Sequence, residues 1–466
     1  MSFIINAQTA ISWFKEDFPS DSLPAQSLNA HSGFYPMHRK IFTTEKGLST
    51  GKNNQFIPLV DAVMQGQKNL PFRTNIGFAF EGQPWKKWYY RVGILSGYEK
   101  QDSLLNSNYY HSFGETNGIG LQPMARISYT PNHIFHFQTG IDKNFIGEGN
   151  RSLLLSDYGK AYPFAKLAAN FWQIEYTVLY QFLRDEFQNK MRNKFVAAHH
   201  ISWNATKELN FGLFETVIFQ PKDSLLNRGF DVEYLNPMVF FRPQEYSLGS
   251  SDNVLIGASA TVKLKRHTFY SQFILDEFFL VQLRARNGYW ANKFGGQIGA
   301  KGIFKFIKQN FWYRLEANAV RPFTYSHLTS LQNYGNLGAV LAHPLGANFL
   351  EGIAELRWQK ENVFVKVFIS GGYQGLDKDD RSFGSDVYVP YTKRKGFNFG
   401  YKIGSGQKNI FARMNLHVAY KLTPKGNINA FAELQFRYDS ALENNKFNFL
   451  PAIGIRSYLW NDYRNY

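Results

Sequence analysis

Few residues in this chain are spaced for chemistry. His199 and His200 are adjacent, and neighbours on an extended strand point to opposite faces, so they cannot serve one site. No nucleophile stands with a positioned base, and no His/Asp/Glu cluster has metal-ligand spacing. Gly147-Glu148-Gly149-Asn150 has the glycine density of a phosphate cradle, but no helix start follows it. The expectation is a non-enzymatic protein with no metal and no cofactor. What remains are groups suited to a polar polymer: Glu148, Asn150, Arg151 and Asp157 in one loop, Arg242 and Glu245 in another. Carboxylates and amides bond sugar hydroxyls, and Arg151 and Arg242 could each take an acidic sugar carboxylate through two parallel bonds. Tyr109, Tyr110, Tyr373 and Tyr391 add aromatic faces nearby. A second reading stands beside this one: Arg151, Asp157, Arg242 and Glu245 pair to fasten their own loops inside the molecule.

The elements that carry these loops alternate with period 2. In 428–439, Ile428, Ala430, Ala432, Leu434, Phe436 and Tyr438 share one face, while Asn429, Phe431, Glu433, Gln435, Arg437 and Asp439 lie on the other. The same split recurs at 174–182, 311–319 and 412–420. Such runs approach the 9–11 residues or so that a tilted strand needs to cross a bilayer, beyond the roughly 5–6 of ordinary strands. The 466 residues are 17% aromatic, with 44 Phe and 27 Tyr, yet mean hydropathy is only −0.35. No stretch has the roughly 18–20 consecutive apolar residues of a membrane helix. A barrel whose strands show lipid only every second residue reconciles these facts.

Connections carry the argument further. Short links near 84–87, 131–133, 172, 205–208, 265–267, 305–309, 359–362 and 423–427 alternate with longer loops near 99–119, 142–162, 185–193, 220–252, 280–294, 322–349, 374–408 and 439–446. That is the build of an outer-membrane barrel, with short periplasmic turns and long external loops. The expected fold is therefore all-β, a transmembrane antiparallel barrel of about 18 strands over 55–466, with 55–64 as its first strand. Trp88, Tyr89, Tyr129, Trp203, Trp358 and Tyr438 are expected in the interface girdles, and Trp460, Tyr463 and Tyr466 in a closing strand. Residues 1–54 lack the rhythm and are expected to form a periplasmic segment, with 1–8 reading as an export-signal remnant. Inward positions carry Glu175, Arg314, Glu316, Glu355, Arg357, Lys366, Arg413, Glu433 and Arg437. A barrel of this width holds an aqueous channel unless loops fill it. The apolar connection 220–252, with Phe230, Tyr234, Leu235, Met238, Phe240 and Phe241, is the expected filler.

The chain has no cysteine and a net charge of +16. Absent thiols suit an oxidising envelope. The basic residues are scattered rather than clustered, which argues against nucleic acid and for anionic partners such as surface polysaccharide, lipopolysaccharide and outer-membrane lipid.

Three blocks resemble the Wzi-like capsule-assembly family of outer-membrane proteins, with its RemB-type gliding-motility relatives. They are 142–157 (DKNFIGEGNRSLLLSD) with Tyr162-Pro163-Phe164, then Tyr234-Leu235-Asn236-Pro237 with Phe240, Arg242 and Glu245, and then 273–278 (FILDEF). The resemblance implies an 18-stranded barrel with an obstructed pore, a periplasmic helical element and a lectin-like hold on exopolysaccharide. Its gliding relatives imply adhesion and movement. The Ser/Asn/Pro-rich segment 15–54 departs from the family's helical element. Against the polysaccharide reading stand a transport channel gated by 220–252 and an accessory subunit of a secretion or motility complex, which would bring partners from that complex.

Overall fold

The computed structural model describes residues 55–66, 72–82, 84–85, 87–100, 111–112, 119–132, 134–221, 229, 232–235, 252–422, 428–441 and 446–457. The N-terminal segment, Tyr109, Tyr110, Arg242, Glu245 and the Trp460–Tyr466 run lie outside them. Eighteen long strands are described. They begin β1 (Gln55–Gln65), β2 (Phe72–Gly82), β3 (Trp88–Lys100), β4 (Ile119–Tyr129), β5 (Phe135–Asp142) and β6 (Tyr162–Phe171). Next come β7 (Ile174–Phe187), β8 (Lys190–Asn204), β9 (Leu209–Phe219), β10 (Asn253–Leu264), β11 (His267–Glu277) and β12 (Lys293–Phe306). The last are β13 (Gln309–Val320), β14 (Phe349–Lys360), β15 (Val363–Leu376), β16 (Gln407–Lys421), β17 (Ile428–Asp439) and β18 (Lys446–Ser457). Each pairs antiparallel with its successor, and β18 returns to β1 with Asp61 opposite Arg456, so the sheet closes.

Closure removes the sheet edges that lipid could not satisfy. It also sorts side chains by parity. On β9, Phe211 and Leu213 are exposed to lipid, while Phe214 and Ile218 are buried in the lumen. At the seam, the Asp61 carboxylate receives Arg73 and Arg456 at 2.8 Å each. Aromatic pairs ring the periplasmic end, Trp88 with Tyr129 at 4.5 Å and Trp203 with Phe211 at 6.1 Å between ring centres.

One expectation is corrected. The stretch 185–193 is not a long loop. Gln188 and Asn189 form the whole link between β7 and β8, with φ of 53° and 58°. A two-residue hairpin of this type I′ geometry needs left-handed residues at both central positions, usually marked by Asn-Gly or Gly-Gly. Here Gln takes one of them, so the sequence carries little punctuation. Most of the connection 220–252, including Phe230, Met238, Phe240 and Phe241, lies outside the described residues. Its short 3-10 turn Val232–Leu235 lies on the outward face: the Tyr234 ring sits 4.8 Å from that of Phe219, and the Tyr180 hydroxyl donates to the Leu235 carbonyl at 2.9 Å. The lumen beside those strands is already filled by other loops.

Candidate functional site: the loop plug and the external mouth

The lumen is filled at its external half by loop 143–161, packed against loop 321–348. Leu153, Leu154 and Leu155 are 0% exposed. They join Phe164, Leu179, Phe214, Ile218, Leu255, Ile274 and Val320 of the wall and Tyr325, Tyr334 and Leu341 of the second loop in one apolar core. Here the inward face of the barrel is a hydrophobic core rather than a pore lining.

Polar wall residues grip the backbone of loop 143–161. Gln272 accepts from the Leu153 amide at 2.8 Å and donates to the Ile146 carbonyl at 3.1 Å. Gln297 donates to the Arg151 carbonyl at 3.0 Å. The Glu316 carboxylate accepts the amides of Asn150 and Arg151 at 2.7 and 3.3 Å, together with the Tyr270 hydroxyl at 2.8 Å and the Asn318 amide at 2.9 Å. The glycines that looked like a phosphate cradle serve this grip. A Cβ on Gly147, whose φ is +146°, would lie 2.4 Å from Gln272 Nε2, and one on Gly149 would lie 2.5 Å from Glu316 Oε2. Only bare backbone can pass so close to the wall.

From above, the Tyr325 and Tyr334 hydroxyls donate to the carbonyls of Leu153 and Leu154, each at 2.8 Å, and the two rings stack 5.9 Å apart. The Tyr325 amide in turn donates to Asp276 at 2.8 Å. Burial holds both phenols well above the usual tyrosine range, so they stay hydrogen-bond donors. Tyr388, from loop 377–406, donates to Asp185 at 3.1 Å. Burial, followed by the charge of Lys293, pushes the His327 imidazole down to about 4. His343 is also lowered by burial, although its Nε2 lies 2.8 Å from the Glu351 carboxylate.

The structure brings four sequence candidates together, inside the plug. Glu148 pairs with Lys301 at 2.9 Å. Asn150 and Arg151 present their backbone to Glu316, and the Arg151 guanidinium carbon lies 5.6 Å from the Phe368 ring centre. Arg151 is 2% exposed and Asp157 is buried as well. Tyr325 and Tyr334 were not singled out in the sequence. The signal was present in the apolar groups Phe323, Tyr325, Leu331, Tyr334 and Val340-Leu341-Ala342 of a supposedly external loop.

Below the plug the lumen is polar. Glu355 receives Arg314 at 3.4 Å and Arg357 at 2.9 Å, and both guanidinium groups stack on Trp312. Arg413 pairs with Asp439, the last residue of β17 at its external end, at 2.8 Å. Above the plug, loop 377–406 holds Arg381 over Phe397 at 3.8 Å and Phe383 at 4.7 Å, with Nη2 donating to the Tyr401 hydroxyl at 2.9 Å. Lys408 lies 4.5 Å from the Tyr373 ring, which belongs to β15 rather than to a loop. Lys378, Lys393, Lys395 and Lys402 are exposed around this cluster.

The closed barrel, its girdles and its loop plug define a protein of the bacterial outer membrane. No family model matches the chain, and no curated protein matches it. Among solved structures it is similar to Wzi, an outer membrane protein involved in group 1 capsule assembly in Escherichia coli and a carbohydrate-binding β-barrel. That match has TM-score 0.60 and 12% identity, and covers 94% of this chain and 98% of that one. Weaker similarities reach OprD of Pseudomonas aeruginosa (TM-score 0.47, 9% identity, 88% and 95% covered) and OccAB4 of Acinetobacter baumannii (0.46, 8%, 88% and 99%). The fold is thus that of an outer-membrane barrel.

Proposed function

We propose that this protein binds anionic surface polysaccharide at its external mouth and holds it at the cell surface without catalysing its turnover. The observation that carries this reading is the Arg381 cluster above a packed plug, where fixed cations stand beside aromatic faces. Sugar rings lie against such faces, and a guanidinium takes an acidic sugar carboxylate. The carbohydrate-binding Escherichia coli barrel of the same fold is in keeping with it. Glu148, Asn150, Arg151 and Asp157 enter this proposal by holding loop 143–161 in place, which keeps the mouth shaped. A role in gliding or adhesion, with motility or secretion partners, would be a use of the same surface.

Detergent-purified protein is tested against acidic and neutral polysaccharides of the parent cell envelope. The expected result is binding of the acidic polymer that weakens with added salt and falls in Arg381→Ala, with the barrel still folded. Absence of binding to every polymer overturns the proposal. The charged lower lumen favours a second reading, a transport channel whose plug moves aside. Steady conductance of the wild type in a planar bilayer would support it.

A further inference from the structure

We infer that the lipid-facing wall of β10–β13 and the connection above it form a docking site for a phosphorylated outer-leaflet glycolipid. Two separate features converge there. The first is a groove of about 510 Å³ on the outward wall. Its floor is made of small residues, Ala258, Ala260, Gly296, Ala317 and Ala319, and Phe273 and Ile298 rise beside them. A floor of alanine and glycine beside bulky neighbours lets an acyl chain lie in contact with the wall on more than one side.

The second feature sits at the external end of the same strands. The connection between β11 and β12 carries the short helix Leu280–Arg284, none of whose residues is buried. Val281 is 77% exposed, and Phe278, Phe279, Leu280 and Leu283 are exposed with it. A solvent-bathed loop has no reason to present this apolar surface, but one at the level of the headgroups does. Arg284 and Arg286 on this connection are both exposed, and neither makes an ion pair among the described residues. The nearby acids Asp276 and Glu277 are already engaged by Lys293. Two uncommitted guanidinium groups beside exposed apolar side chains match a phosphate beside acyl chains.

The spacing fits one molecule. From Phe273 to Glu277 the strand rises about 13 Å at roughly 3.3 Å per residue, before tilt is counted. Arg284 and Arg286 stand on the connection that leaves the strand at that end, so a lipid with its phosphates there runs its chains down the same wall. An acidic polysaccharide would use the arginines and leave the wall untouched, so the groove selects the lipid.

The test uses the delipidated full chain in detergent, with lipid A carrying both phosphates as the probe and native mass spectrometry as the readout. Arg284→Glu/Arg286→Glu is expected to weaken binding at least about tenfold. Gly296→Phe fills the groove, and a side chain there meets only the Gln272 carbonyl, 4.0 Å from the added Cβ. It is expected to weaken lipid A binding too, with the barrel folded. Arg381→Ala should leave lipid binding intact, so this site and the polysaccharide reading fail separately. Unchanged lipid A occupancy in both groove and arginine variants overturns the inference. So does equal affinity for the acyl-free disaccharide bisphosphate, which would reduce the site to an anion patch.

Discussion

Glu316→Gln should release the plug while leaving the barrel standing. The buried carboxylate accepts four donors, two of them the consecutive backbone amides of Asn150 and Arg151. Glutamine keeps the shape but turns one oxygen into an amino group facing donors. The Tyr270 hydroxyl can rotate to accept, but a buried backbone amide cannot. Charge-assisted bonds are worth about 1.5–3 kcal/mol each, and an orphaned buried donor costs about 1–3 kcal/mol. The docked state of loop 143–161 should lose about 3 kcal/mol, which raises the undocked fraction about a hundredfold. Trypsin reads that fraction, because Lys143, Arg151 and Lys160 lie in the loop and cleavage tracks the open population when closing is fast. Glu355→Gln is the control, since Glu355 bonds Arg314 and Arg357 of the wall below the plug. Cleavage of Glu316→Gln at the wild-type rate would refute the account of how the plug is held.

At the seam, Asp61→Asn removes the charge shared by Arg73 and Arg456, and breaking a buried pair costs about 3–5 kcal/mol. Heat-induced unfolding, followed by electrophoretic mobility, is expected at a lower temperature than for wild type. Acid should loosen the upper plug. His327 is held at about 4 against its ordinary 6.5, so the unfolded or undocked chain binds more protons in that window. Stability is full above about 6.5 and falls as pH drops through 4, by on the order of 3 kcal/mol. Protease sensitivity of loop 321–348 should rise over that range, and His327→Gln should flatten the profile.

The sequence by itself determined the barrel, its strand number, its sidedness and its location. These follow from local rules: period-2 alternation recurs in runs along the chain, and link lengths alternate between short and long, so most segments report their own state. The exception, the Gln188–Asn189 turn, lacked glycine at its left-handed positions and so left little local mark. The tertiary structure alone decided what fills the lumen. Loop 143–161 is rich in apolar residues, and composition cannot say which side of the wall such a loop will reach. That choice rests on wall groups distant in sequence: Gln272, Gln297 and Glu316 lie more than a hundred residues from the backbone they hold. Likewise the sequence leaves Arg151 open between a sugar contact and a fastener of its own loop, and the structure buries it in the plug, because burial is a property of the closed barrel and not of the motif.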